Sequence, residues 1–302
     1  MPSTPLARYA WLSIAGAFIT LALKTAAWMF TSSVGLLSDA LESLVNVGAA
    51  IMLLAMLHVA ARPADESHAY GRSKAEYFAS GFEGILVVVA AAAIAFSATS
   101  RLLNPQPVAH AALGLLLTTA ASGLNFFVSR LLLRAARRHR SIALEADAQH
   151  LMTDVWTSAG VILGVALVAL TGWLILDPLI ALGVAVNILF IGWRLLRESV
   201  LGLMDAAWPA EERAVLEAVL QEFRARGLRF HAIRTRRSGR RRFASVHVLV
   251  PGSWTVQQGH DVLEDIDRRL TQRIGAVTID THLEPIEDAA SYRDQHLDRE
   301  PD

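Results

Sequence analysis

The chain has 302 residues, no cysteine, 28 basic and 28 acidic side chains, and a mean hydropathy of +0.38, too apolar for an ordinary water-soluble protein. The missing cysteines exclude a disulfide framework, a thiolate zinc ribbon and a thiol nucleophile, and the balanced charge gives nucleic acid no electrostatic reason to bind. Of the charged residues, 24 lie in the first 200 positions and 32 in the last 102, dividing the chain into a charge-poor region (1–205), a charge-rich one (206–287) and a polar tail (288–302) expected to be disordered.

A bilayer core takes roughly 20 apolar residues per helix, and the charge-poor region supplies six such stretches, at about 9–30, 36–58, 77–99, 111–133, 150–170 and 178–196. Between them stand breaker or charge signals: Thr31 to Gly35, Arg62 to Glu76, Asn104 to Pro107, the basic run Arg134 to Arg140, and Thr171 to Pro178. Basic residues fall at alternate ends (Arg8; Arg62, Arg72 and Lys74; Arg130 to Arg140; Arg194 and Arg197), while the opposite loops hold only Arg101. By the positive-inside rule this predicts an α-helical integral membrane protein with six transmembrane helices and both termini in the cytoplasm. An arginine-heavy chain with short loops suits a bacterial inner membrane.

After Met204 and Asp205 the periodicity changes. Residues 211–226 read as an amphipathic helix, 231–236 and 242–250 as strands around the turn signal Ser238-Gly239, 256–273 as a second helix and 277–283 as a third strand. The order is α-β-β-α-β, a small cytoplasmic α/β sandwich. Alternation along Phe243 to Val250 puts His247 on the polar face of its strand. His231, His247, His260 and His282 fall one per element, with Glu284 two residues past the last on the same face. The basic run Arg234 to Arg242 lacks interleaved aromatic residues, so it does not read as a nucleic-acid surface.

Within the spans, Lys24, Asp39, Glu42, Asn46, Glu83, Asp147, His150 and Asp154 are out of place in hydrocarbon, where an ionisable group needs a partner or a function. Two spans repeat one pattern: Asp39-x-x-Glu42-x-x-x-Asn46 and Asp147-x-x-His150-x-x-x-Asp154. Residues four apart share a helix face, so Glu42 with Asn46 and His150 with Asp154 each present two ligand heads. Facing helices would gather two carboxylates, an amide oxygen and an imidazole, a set that suits tetrahedral zinc and also accepts iron(II) or manganese. The formal charge of minus two is cancelled by one divalent cation, and protons can replace that cation on the imidazole and a carboxylate. A site that trades metal for protons is what an antiporter requires.

These segments resemble the signature motifs of the cation diffusion facilitators: Lys24-Thr-Ala-Ala-Trp28-Met-Phe-Thr-Ser-Ser33, Ser43-Leu-Val-Asn46-Val-Gly48, Pro63-Ala-Asp65-Glu-Ser-His68 through Lys74-Ala-Glu76, and Ala146-Asp-Ala-Gln-His150-Leu-Met-Thr-Asp154. The resemblance runs from about Tyr9 to Ile286. It implies a homodimeric, proton-coupled exporter of divalent transition metals working by alternating access, with no prosthetic group, no enzymatic activity and a metallochaperone-like cytoplasmic domain. By that resemblance Glu42, Asn46, His150 and Asp154 form the transport site, and His231, His247, His260, His282 and Glu284 a regulatory metal site between subunits. Lys74 and Asp205 match positions that interlock at the dimer's membrane edge.

The chain departs from the pattern in two places. Zinc-transporting branches mostly carry two aspartates, or histidine and aspartate, where Glu42 and Asn46 stand, and an amide cannot take up a proton. Zinc is still the first expectation, with iron(II), manganese, cobalt and cadmium as alternatives. In the loop, Asp65 and His68 match a second metal site of the family, but a guanidinium, Arg72, replaces the histidine expected four residues on. That site is read as degenerate. Two other functions compete with this reading: a membrane metalloenzyme, for which the chain lacks His-Glu-x-x-His or a nucleophile elbow, and a membrane-bound sensor whose histidine-rich domain is the working part.

Overall fold

A computed structural model describes residues 6–31, 34–103, 111–173, 175–293, 295 and 296, apart from the side chains of 27, 28, 30, 31, 34–42, 45, 111–115, 161, 162, 164–166, 168–170 and 177. The chain forms two compact units, Met1–Leu201 and Gly202–Asp302.

Six helices build the first unit: α1 (Ala7–Thr31), α2 (Val34–Ala60), α3 (Ala75–Leu103), α4 (Ala111–His139), α5 (Ile142–Thr171) and α6 (Leu176–Leu203). Each has 25 to 30 residues, about 38 to 45 Å at 1.5 Å per residue, enough to cross a bilayer core of about 30 Å. Among the described residues, four are apolar enough to qualify as spans by composition: Ala7–Ala26, Ala75–Leu103, Leu116–His139 and Pro178–Leu203. The helices outside that set, α2 and α5, match them in length but carry the polar ligand candidates.

The basic run Arg134 to Arg140, expected as a separator, is mostly helical and forms the last turns of α4. Arginine is a good helix former, and positive charge at a helix C-terminus complements the macrodipole. The break comes at Arg140, whose φ of 53° is left-handed. The amide of Ser141 returns to the Ala136 carbonyl at 3.1 Å, a Schellman ending. Ser141 Oγ then accepts from the Leu144 amide at 3.4 Å and caps α5. Because α5 starts two turns before His150, Asp147 and His150 lie within the helix and are buried rather than at a solvated rim.

Helices α1, α2, α4 and α5 pack through Ala10, Leu53, Leu57, Leu132, Leu144 and their neighbours. Helix α3 also meets α6 closely: Val87 and Ala91 pack on Ile188, and a Cβ at Gly192 would come within 2.8 Å of Val88 Cγ2. Phe96, Phe190 and Trp193 stay exposed, as side chains facing lipid do.

The second unit holds α7 (Ala210–Arg224), β1 (Arg229–Ser238), β2 (Arg241–Val250), α8 (Val256–Ile274) and β3 (Thr278–Pro285). The sheet order is β1-β2-β3, with β1 antiparallel to β2 and β2 parallel to β3 across α8. Gly239, with φ of 55°, opens the two-residue hairpin turn. Ala244, Val246, Val248 and Val250 meet Leu216, Leu220, Phe223, Ile266 and Leu270 from the helices in one core. Fully buried Trp208 joins that core; its amide donates to Thr235 Oγ1 and its indole to the Arg236 carbonyl, both at 3.1 Å. Thr255 and Gln258 form a capping box that starts α8. Helix α8 lies so close to β3 that a Cβ at Gly259 would stand 2.3 Å from Leu283 Cδ2.

Disorder is expected from Asp288 on, but the described residues just past it keep structure. Asp288 caps a 3-10 turn over Ala289–Tyr292, Ser291 Oγ donates to the Pro285 carbonyl and Tyr292 Oη to the Ile286 carbonyl, both at 2.9 Å. These local bonds outweigh the polar composition that suggested disorder.

Candidate metal centres

Helices α2 and α5 bring three of the four expected transport-site residues together. Asn46 Nδ2 donates to Asp154 Oδ2 at 2.6 Å, and His150 Nε2 stands 2.6 Å from Asn46 Oδ1. An amide oxygen only accepts, so Nε2 carries the hydrogen in that contact. All three residues are buried, at 5% exposure or less. The backbone of Glu42 is one turn before Asn46 on α2, and its side chain, like that of Asp39, lies outside the described residues.

Two neighbours escape the sequence reading. Asn125 of α4 donates to Asp154 Oδ2 at 3.2 Å and accepts from Thr20 of α1 at 3.2 Å. The polar positions Thr118, Ser122, Asn125 and Ser129, spaced four, three and four, mark one helical face and could have pointed to α4. Glu83 of α3, noted in the sequence only as an in-span charge, places Oε2 3.5 Å from His150 Nδ1.

In the loop before α3, Asp65 is already engaged. Its oxygens meet Ser67 Oγ at 2.8 Å, the His68 amide at 2.9 Å and Arg72 Nη2 at 2.7 Å. The Ser67 hydrogen bond and then the Arg72 guanidinium lower its pKa to about 2. His68 Nδ1 stands 3.6 Å from the same carboxylate, so a cation here would have to displace Arg72.

On the sheet, β1 pairs His231 with His247, and β3 pairs His282 with His247. Three imidazoles thus form one row, with ring centroids 5.1 Å apart across each strand pair. The row lies on the face away from the helices, because Val246 and Val248 flank His247 in the core. Alternation would group His231 with Ile233, but a bulge between His231 and Arg234, with Ala232 at φ of 47°, adds a residue and resets the register. Glu284 reaches all three rings, at 2.8 Å from His231 Nε2 and 3.5 Å from both His247 Nδ1 and His282 Nε2. Ligand atoms of His231, His247 and Glu284 lie within 4.8 Å of one another. His260 does not join them: it is an exposed residue on α8, in the helix layer that packs against the core face of the sheet.

Residues 10–204 match the cation efflux transmembrane domain, and residues 208–286 the cytoplasmic domain of cation efflux proteins. The chain belongs to the cation efflux family. This cation efflux protein is 52% identical over 293 residues to an uncharacterized transporter of Synechocystis sp., covering 97% of this chain and 94% of that one. It is 29% identical over 281 residues to the cation-efflux pump FieF of Escherichia fergusonii and to that of Escherichia coli strain K12 / DH10B, covering 93% of each chain. Membership makes it a multi-pass membrane carrier for metal cation efflux, of the cation diffusion facilitator type.

Proposed function

We propose that this cation efflux protein exchanges a divalent transition-metal cation, zinc first, for protons by alternating access at Glu42, Asn46, His150 and Asp154. The observation that carries the reading is the buried cluster of Asn46, His150 and Asp154, joined across α2 and α5 at 2.6 Å. To bind metal there, Nε2 must give up its hydrogen and Asn46 must turn its oxygen inward, so metal and proton compete for the same atoms. The amide at Asn46 leaves the acids and His150 to carry protons. Iron(II), manganese, cobalt and cadmium remain alternatives for a mixed nitrogen and oxygen donor set.

We propose further that the protein works as a homodimer through residues 206–287, in a bacterial inner membrane with both termini cytoplasmic. Zinc held by His231, His247, His282 and Glu284 would then stabilise the dimer and couple cytoplasmic metal load to transport. His260, kept on the helix layer, could contribute only from a second copy. The test is flux into vesicles under a pH gradient, with zinc, iron(II) and manganese, for wild type and Asn46→Asp. Zinc uptake that dissipates the proton gradient supports the antiporter, and a changed metal preference in Asn46→Asp places selectivity at that amide. Zinc uptake with no accompanying proton movement overturns the coupling.

A further inference from the structure

Amides from two different helices hold one oxygen of Asp154. Its Oδ2 accepts from Nδ2 of Asn46 on α2 at 2.6 Å and from Nδ2 of Asn125 on α4 at 3.2 Å. A carboxylate offers about two acceptor sites on each oxygen, so two amide hydrogens fill Oδ2. Both amides must present nitrogen there, because an ionised carboxylate only accepts.

The two amides differ in what else they do. Asn46 gives its oxygen to the His150 imidazole, and that oxygen is the one a metal would claim. Asn125 is outside the expected ligand set. Its Oδ1 meets the Thr20 hydroxyl of α1 at 3.2 Å, and the same hydroxyl reaches the Gly16 carbonyl at 2.5 Å, sharing one hydrogen between two acceptors. Thr20 and Asn125 are each 2% exposed, and burying an amide is costly unless both its ends are bonded. The backbone beneath them is closely seated. A Cβ at Gly16 would stand 3.2 Å from Val128 Cγ2, one turn along α4 from Asn125, and Ser129 Oγ of α4 donates to the Ala148 carbonyl of α5 at 2.8 Å. Helix α4 is thus fixed against α1 and α5 on either side of the Asn125 amide.

We propose that Asn125 is a positioning residue that sets metal selectivity, by tying Oδ2 of Asp154 to α4 and leaving Oδ1 as the oxygen offered to the cation. The inference rests on reading Asn46, His150 and Asp154 as the transport site. When Asn46 turns its oxygen to the metal it gives up its hydrogen bond to Asp154, and Asn125 is the amide that stays. A carboxylate tethered by one oxygen binds through the other. That mode suits a four-coordinate ion such as zinc. Manganese, which favours six oxygen-rich ligands in an octahedron, gains from a second carboxylate oxygen and must break the Asn125 bond to obtain it. Selectivity then depends on a side chain that does not touch the metal and acts through one that does.

The experiment measures the zinc KM for uptake into vesicles by the full-length chain and the manganese concentration that halves uptake at zinc far below KM. The ratio of manganese to zinc values is a preference for zinc that does not depend on how much protein is active. Asn125→Ala should lower it about tenfold, chiefly through a raised zinc KM. Thr20→Val keeps the volume and removes the hydroxyl, so it should lower the preference about threefold. Added to Asn125→Ala, it should change nothing further, since both act through one amide. An unchanged or raised preference in Asn125→Ala, whether or not total flux falls, overturns the proposal, because a purely structural amide would weaken zinc and manganese alike. If Asn125→Ala yields no folded protein, Thr20→Val decides: a lowered preference supports the tether and a wild-type preference overturns it. Asp154→Ala separates this proposal from the reading it rests on. Undiminished zinc flux there overturns the transport site and the tether with it, whereas lost flux there beside a wild-type preference in Asn125→Ala removes the tether alone.

Discussion

In the bundle, Asn46, His150 and Asp154 are almost fully buried and bonded to one another, whereas on the sheet His282 is 64% exposed and Glu284 gathers three rings from a half-open face. The first arrangement excludes water, so any unpaired charge there is expensive. The second sits at a solvated surface, where imidazoles can bind or release an ion without moving a helix. The contrast separates a dry, fully bonded cluster from a solvated one, which fits the proposed division between carrying an ion and sensing it.

The strongest way to break that separation is Asp154→Ala. Zinc flux in vesicles should fall about 100-fold or more, while the zinc affinity of the cytoplasmic row stays as in wild type; equal damage to both would join the two centres into one. His247→Ala is the converse. It should weaken the cytoplasmic zinc affinity about 10- to 100-fold by calorimetry on the full chain and leave saturating flux present. The sensor reading predicts the opposite pair of results, with His247 indispensable and Asp154 not.

Gly259→Ala tests whether the sheet centre depends on helix packing. The added methyl meets Leu283, which stands between His282 and Glu284, so the cytoplasmic unit should lose about 1 to 3 kcal/mol, read by hydrogen exchange in β3, with exchange in the bundle unchanged. The last effect is electrostatic and depends on pH. Arg242 meets both oxygens of Glu212, at 2.9 and 2.6 Å, and Arg237 meets Oε1 at 2.7 Å. The Arg242 hydrogen bond first, and then Arg237, lower the Glu212 pKa from 4.5 to about 2. A depressed folded-state pKa means the contribution is complete above about pH 4.5 and is lost as pH falls toward 2. Glu212→Gln should destabilise the unit by about 1 to 3 kcal/mol at pH 7 and progressively less as pH falls through that window, followed by exchange in α7 and β2.

Most of the architecture was legible because two periods dominate it. Apolar runs marked six helices, and the four-residue spacing of His150 and Asp154 put both heads on one face. The strand alternation put His247 on the polar face of the sheet. What was not legible is three-dimensional. The spacing of Thr118, Ser122, Asn125 and Ser129 marks a polar face of α4 but does not say which helix that face meets, and neutral amides and hydroxyls such as Thr20 are common in apolar helices. The left-handed turn at Arg140 has no glycine to announce it, so α5 begins earlier than its apolar run. The bulge at Ala232 is equally silent, and without it simple alternation would send His231 into the core. His260, assigned by the resemblance to the same site, lies on the helix layer and so stands apart from the other three histidines within one subunit.

The 3-10 turn after β3 has a consequence for anyone handling this protein. Strands β1 and β3 are the two outer edges of the sheet, yet Tyr292 sets its ring 6.2 Å from that of His231 on β1, and Arg234 reaches the His296 carbonyl. The tail is therefore a latch between edges that no strand pairing joins. A chain cut after Pro285 would keep all three strands and lose the latch.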